Sequence, residues 1–208
     1  MVILVAGFQP FGANDHNPSA AIARALDGQE VEGIRFVACG PLPVVYGECA
    51  SVAIDAARRL GADVIVAFGL STRSRAIKVE QVARNRCTAG DPDNAGTCRE
   101  GEPIEAAGPA LARTTIDAER VVAALDAAGI ACSLSEDAGG YVCNDLYYRL
   151  LRAQAQGTSP AVLFLHVPQD ADRSPQLPGA LARALAIALA ASVRSTRVAE
   201  EPSSSERS

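Results

Sequence analysis

Apolar and polar positions follow two rhythms along this chain, and the rhythms take turns. Short apolar runs bounded by glycine or proline predict strands, and apolar residues recurring every three or four positions predict helices. Residues 1–6 form the first apolar run, followed by a loop, Gly7-Phe8-Gln9-Pro10-Phe11-Gly12. Asn17 then caps a helix and Pro18 occupies its first turn, where a missing N–H costs nothing. That helix runs to about Asp27 and stops at Gly28. Residues 34–39 read as a second strand. Val45, Cys49, Val52, Ala56 and Leu60 fall on one helical face that ends at Gly61. Residues 63–68 read as a strand whose apolar run follows Asp63 without a break, as in a strand covered on both faces.

Residues 75–82 look extended, with Ile77 and Val79 on one side and Lys78 and Glu80 on the other. Residues 88–109 carry many glycines, prolines and acids and read as a long loop. Thr115 or Asp117 caps a helix through Ala128, residues 130–134 form a strand, and 142–155 another helix. Residues 161–167 are the last clear strand. Residues 177–194 form an alanine-rich amphipathic helix with Leu181, Leu185 and Leu189 on one face, and 199–208 read as a disordered tail. Strands alternating with helices predict an α/β fold: a three-layer sandwich, a mostly parallel twisted sheet with helices on both faces. The pattern shows no repeat or linker, so residues 1–198 are expected to form a single domain. Ligands in such a sheet sit at the carboxyl ends of the strands.

Composition narrows the class. A chain of 208 residues with 49% hydrophobic and 21% charged residues can bury a proper core. The net charge is −5, with no basic stripe, so nucleic acid is not an expected partner. The longest apolar stretch of the C-terminal half, 184–191, is too short for a bilayer, and no membrane association is expected. The first residues lack a basic lead-in and reach Gly7 too soon for a secretory signal, so the expected location is cytoplasmic. Lys78 is the only lysine. The six cysteines include no CxxC and no histidine at ligand spacing, so no zinc site is expected. Free thiols are expected in a reducing compartment. A local disulfide between Cys87 and Cys98, which bracket the polar loop, is the alternative.

Three residues stand out chemically. His166 closes the apolar run Val162-Leu163-Phe164-Leu165, at a strand's carboxyl end. An imidazole there can carry protons near neutral pH, and its plainer reading is a buried histidine satisfied by backbone. Cys143 follows Gly139-Gly140-Tyr141-Val142 and opens a helix. Helix-start N–H groups favour thiolate and can hold an oxyanion; the plainer reading is a small apolar filler. Glu80 could orient an imidazole, although spacing alone suggests a solvated strand charge. His16 lies in a polar loop and reads as a surface residue.

Five segments in order resemble the pyroglutamyl peptidase I family of cysteine peptidases, over roughly residues 2–195. They are Gly7-Phe8-Gln9-Pro10-Phe11-Gly12 with Asn17-Pro18-Ser19; Leu42-Pro43-Val44; Val79-Glu80-Gln81-Val82-Ala83-Arg84-Asn85 with Pro92-Asp93-Asn94-Ala95-Gly96; Ala138-Gly139-Gly140-Tyr141-Val142-Cys143-Asn144; and Phe164-Leu165-His166-Val167-Pro168. The resemblance implies a phosphorylase-like α/β sandwich and removal of N-terminal pyroglutamate from peptides. It implies a Cys-His-Glu triad formed by Cys143, His166 and Glu80, with Phe8, Phe11, Tyr141 and Val142 at the ring pocket. It also implies no metal or organic cofactor, and a homodimer or homotetramer.

The chain departs from the family pattern at the pocket rim. Leu70 stands where many members have Gln, and Gly90-Asp91 where many have Arg-Ile. Asp145 replaces a frequent His, and Lys78 a frequent Thr or Ser. Leu70 and Asp91 are therefore candidate substrate contacts. They motivate two alternatives: the same triad acting on another amide or ester, and a binding homologue without turnover. A nucleoside phosphorylase is suggested by fold alone, and no phosphate-cradling glycine loop supports it.

Overall fold

A computed structural model describes residues 1–12 and 15–200, the last ten of these by backbone only. Among the described residues, nine strands and five α-helices keep the expected alternation, except that the second and third strands, and the fourth to seventh, run in succession. The strands are β1 (Val2–Ala6), β2 (Glu30–Val31), β3 (Ile34–Ala38), β4 (Val64–Ser71), β5 (Ile77–Glu80), β6 (Val82–Arg84), β7 (Leu111–Arg113), β8 (Cys132–Ser135) and β9 (Ala161–Pro168). The helices are α1 (Pro18–Leu26), α2 (Glu48–Leu60), α3 (Ala118–Ala127), α4 (Val142–Ala155) and α5 (Leu177–Glu200). The last helix runs beyond the expected Arg194. Of the tail expected at 199–208, residues 201–208 lie outside the described residues.

Seven strands form one sheet in the order β2-β3-β1-β4-β9-β5-β8. The pairings β3-β1-β4-β9 are parallel; β1, β4 and β9 are largely buried apolar runs, while β3 buries Ile34 and Phe36 and exposes Arg35. The sheet changes direction between β9 and β5, which pair antiparallel, and β8 continues parallel to β5. The stretch expected to be extended over 75–82 divides: its first part joins the main sheet, while β6 pairs antiparallel with β7 in a separate ribbon. The strand β7 and the two-residue β2 are too short to leave a periodic signal.

Helices cover both faces. Ile22 and Leu26 of α1, Val121 and Leu125 of α3, and Leu181, Leu185 and Leu189 of α5 pack against Ile3, Val5, Val66, Val79 and Leu165. On the other face, Cys49, Ala53 and Ala57 of α2 and Leu146, Tyr147 and Leu150 of α4 pack against Leu4, Ile65, Ala67 and Phe164. Among the described residues, no helix is long and apolar enough to cross a membrane.

The start of α1 explains the residues of the first loop physically. Asn17 accepts a hydrogen bond from Ser19 N (3.1 Å) and donates to Gln9 O (3.0 Å), so it caps the helix and holds the incoming loop. Ser19 Oγ in turn accepts from Phe8 N at 3.0 Å. Gly7 makes this approach feasible, because a Cβ there would collide with the backbone of Ser19 and Ala20. Gly7→Ala is therefore expected to cost about 1–3 kcal/mol by overpacking, measured as a lower urea midpoint with unchanged slope. An unchanged midpoint would show that α1 can move away freely.

Candidate active site

The register of β9 arranges the site. His166 lies opposite Gly69 of β4 on one side and opposite Lys78 of β5 on the other. Glu80 lies opposite Phe164, two positions back, and so faces the same side of the sheet as His166. The His166 Nδ1 to Glu80 Oε1 distance is 2.8 Å. Glu80 is fully buried and His166 is 8% exposed, so this contact is shielded from water. The solvated strand charge suggested by spacing is replaced by a carboxylate with a partner. Its other oxygen, Oε2, has no hydrogen-bond partner among the described residues.

Cys143 is the second residue of α4 and is half-buried. Its sulfur sits over β4: a Cβ on Gly69 would lie 3.0 Å from Sγ and 2.8 Å from Cζ of Phe164. Burial disfavours a charged His166, but hydrogen bonds to Cys143 and Glu80 and the electrostatic influence of both groups outweigh it. Together they raise the His166 pKa from 6.5 to about 9. The imidazole is thereby held as a cation between a sulfur and a carboxylate. Such a set can deliver a thiolate nucleophile and a proton donor at neutral pH. The N–H groups of Val142 and Cys143 precede the helix's own hydrogen-bond ladder, which begins with Asn144 N and Asp145 N donating to Tyr141 O, and they favour negative charge beside the sulfur.

The long polar loop is an ordered cover beside this set. Asp93, almost fully buried, accepts from Tyr46 N (3.0 Å), Ala95 N (2.9 Å) and Thr97 N (2.8 Å). Asn94 Nδ2 donates to Pro10 O (3.0 Å), and Tyr141 Oη donates to Pro92 O (2.7 Å). Thr88 N and Ala89 N both donate to Gly140 O, and a Cβ on Gly140 would collide with Thr88. The second glycine before the cysteine is thus required by the loop that docks on it.

The expected pocket residues divide. Phe11 and Tyr141 meet with ring centroids 6.0 Å apart, and Tyr46 packs edge-on against Tyr141 at 5.8 Å. Phe8 and Val142 are buried in the core beneath them. Leu70 is not brought into this cluster. It pairs with Val167, which belongs to the opposite core, and lines a cleft with Pro18, Asp172 and Arg173. Asp91 is exposed on the loop, close enough for its charge to raise the Tyr141 hydroxyl pKa, an effect smaller than that of burial. His16, expected at the surface, is exposed and contacts Asp172 through Nε2 at 2.5 Å. All six cysteines are free, with Cys87 buried and Cys98 exposed.

Asn144 and Tyr147 are supporting residues that the sequence does not mark as site components, and Asp145, expected at the pocket rim, is a buried support instead. Asn144 is fully buried: Oδ1 accepts from Arg84 N (2.9 Å), and Nδ2 donates to Arg84 O (2.8 Å) and Arg86 O (3.0 Å). It imitates a strand neighbour and fastens α4 to β6, just beyond Glu80. Asp145, also fully buried, accepts from Gly47 N (2.8 Å) and from Arg149 Nε (3.0 Å) and joins α4 to the start of α2. Tyr147 Oη donates to the Glu80 carbonyl at 2.7 Å. Polar residues directly after a helix-start cysteine were the available signal, but their partners are remote in sequence.

A profile of the family described as pyroglutamyl peptidase matches residues 1–202. Over 189 residues the chain is 34% identical to the pyrrolidone-carboxylate peptidase of Gloeobacter violaceus, covering 91% of this chain and 92% of that protein. It is 35% identical over 169 residues to the pyrrolidone-carboxylate peptidase of Pyrococcus furiosus, covering 81% of each. The crystal structure of pyroglutamyl peptidase I from Bacillus amyloliquefaciens superimposes with a TM-score of 0.84 at 29% identity, over 91% of this chain and 97% of that one.

The contact between Gly69 and the sulfur leads to a direct test. Gly69→Ala is expected to push Sγ away from His166 and so lower its thiolate content. The rate of Cys143 alkylation by iodoacetamide at neutral pH should fall about tenfold, read by mass spectrometry on protein shown to be folded by circular dichroism. An unaltered rate would mean that the sulfur does not depend on the space at Gly69.

Proposed function

Because the chain belongs to the pyroglutamyl peptidase family, cysteine peptidases that remove an N-terminal pyroglutamyl residue from peptides, we propose that Cys143, His166 and Glu80 carry that hydrolysis here. In this reading the resting site holds a Cys143 thiolate and a His166 imidazolium, with Glu80 orienting the ring and balancing its charge. The sulfur attacks the pyroglutamyl carbonyl, a C–S bond forms, and the carbonyl electrons move to oxygen. First-turn N–H groups of α4 receive that oxyanion. His166 then gives its proton to the departing amine as the C–N bond breaks, which leaves a thioester and a neutral imidazole. Water attacks the thioester while His166 takes its proton. The C–S bond breaks, releasing pyroglutamate and restoring the ion pair.

Specificity in this reading comes from the aromatic wall of Phe11 and Tyr141, backed by Phe8 and Val142. A flat lactam is neutral and can be held between ring faces. An ordinary N-terminus would bring an ammonium into that apolar space without a partner. A cytoplasmic location and a homodimeric or homotetrameric assembly belong to the same reading. Six free thiols suit a reducing compartment. The observation that carries the proposal is the 2.8 Å contact between His166 and the fully buried Glu80, with Cys143 within hydrogen-bonding reach of the same imidazole.

Under reducing conditions the protein is expected to release the fluorophore from a pyroglutamyl amide and to spare the matching prolyl amide, whose ring nitrogen is charged. Cys143→Ser should reduce release to the buffer background. Cleavage of the prolyl amide alone would favour the reading with another amide substrate. No cleavage of either would refute the proposal.

The raised His166 pKa sets the pH dependence. The charged form is favoured by folding, so its contribution to stability is complete below about 6.5 and is lost as pH rises through about 9. The basic limb of kcat/KM is expected in that same upper range, where the imidazolium loses the proton it must donate. Glu80→Gln removes one of the charges that raise the pKa. It should move the limb to lower pH and reduce kcat by about 10²–10⁴-fold. A basic limb unmoved in Glu80→Gln would remove Glu80 from its assigned role.

A further inference from the structure

Resting on the peptidase reading above, we propose that Lys78 selects for a carboxylate on the departing side of the substrate. The sheet lays the components out in a row. The aromatic wall of Phe11 and Tyr141 stands beyond β1, backed by Phe8. The Cys143 sulfur lies over Gly69 of β4, His166 stands on β9, and Lys78 stands on β5. Gly69, His166 and Lys78 are register partners in adjacent strands, so their side-chain directions share one face. Directly opposed residues in an antiparallel pair have Cβ atoms about 4.5–5.5 Å apart. The ammonium is therefore carried on a four-carbon stem from a point adjacent to the imidazole, on the side away from the sulfur and the ring pocket.

That side is where the leaving chain must go. The acyl carbon is bound to the sulfur, the ring is held toward β1, and the departing nitrogen takes its proton from His166. The peptide beyond that nitrogen then runs past His166 toward β5. An extended chain advances roughly 3.3–3.6 Å per residue, so a lysine neighbouring His166 meets the first or second departing residue.

The ammonium is free to take that role. Lys78 is half-buried, and among the described residues it makes no ion pair. It is not folded back onto Glu80, whose Oε2 has no hydrogen-bond partner. Its other cross-strand neighbour is Ser133 of β8, which is exposed and uncharged. This is the only lysine of the chain, set beside the reacting groups in a protein of net charge −5. The chemistry it fits is a carboxylate, supplied either by the C-terminus of a short pyroglutamyl peptide or by an acidic side chain near the cleaved bond.

The test measures kcat/KM for four peptides: pyroglutamyl-alanine with a free carboxylate, its C-terminal amide, pyroglutamyl-glutamate amide and pyroglutamyl-glutamine amide. Ratios within each protein are the readout, so a general loss of rate in a variant cancels. The wild type is expected to prefer a carboxylate about threefold to tenfold in one or both pairs. The acid-to-amide pair reports a terminal carboxylate, and the glutamate-to-glutamine pair an acidic side chain. The preference should fall to near unity in Lys78→Thr, invert in Lys78→Glu, persist in Lys78→Arg, and weaken as salt is raised. A wild type that cleaves the neutral amides with ratios near unity, or with ratios that Lys78→Thr leaves intact, overturns the role of Lys78 alone. A wild type that cleaves none of the four overturns it together with the peptidase reading.

Discussion

The contact between His166 and Glu80 spans 86 residues of chain, and it exists because the sheet reverses direction between β9 and β5. In the antiparallel pairing Glu80 faces Phe164, on the same side of the sheet as His166. Moving β5 by one position would turn Glu80 to the opposite core and bring its apolar neighbours to the imidazole. The register is held by that same alternation: Ile77 and Val79 are buried in the core that includes Leu165 and Val167. The apolar face of β5 thus locks in place the polar face that carries Glu80. A buried carboxylate needs a cation to offset its desolvation, and the imidazolium supplies it.

The sulfur reaches this pair through a different set of constraints. Asn144 and Asp145, the two residues after Cys143, are both fully buried and both spend their side chains on distant backbone. They fix the start of α4 against β6 and against α2, so the helix cannot slide along the sheet. Gly69 then removes the one side chain that would separate the sulfur from β4. A thiol on the first turn of a helix gains an electrostatic benefit, but only a helix anchored on both sides can hold it within reach of a particular imidazole.

The loop from Thr88 to Pro109 shows how irregular backbone can be ordered without strands. Asp93 gathers three N–H groups, Asn85 bonds to Glu105 and Gly108, and Gly140 accepts two donors from the loop. The loop lies against Tyr46, Pro10 and Tyr141, three segments of the candidate ring pocket. Its polar composition reflects the number of backbone groups that need partners when no ladder provides them. The same loop carries Asp91 outward into solvent.

Most of the regular architecture was legible in the sequence. Apolar runs marked β1, β4 and β9, the Asn17-Pro18 cap marked α1, and leucine spacing marked α5, because strand and helix periodicities are local properties of the chain. Cys143 and His166 could be singled out for the same reason, each standing at a recognisable junction between elements. Glu80 could be recognised only through resemblance, since an acid on an extended segment looks like a surface charge until its partner is known. The reversal between β9 and β5, the separation of β6 into a ribbon with β7, the facing of Leu70 away from the aromatic cluster and the row of Gly69, His166 and Lys78 belong to the tertiary structure. Strand order, direction and register arise from contacts between segments far apart along the chain. One residue of register decides which side chains share a face, and local sequence carries no record of that choice.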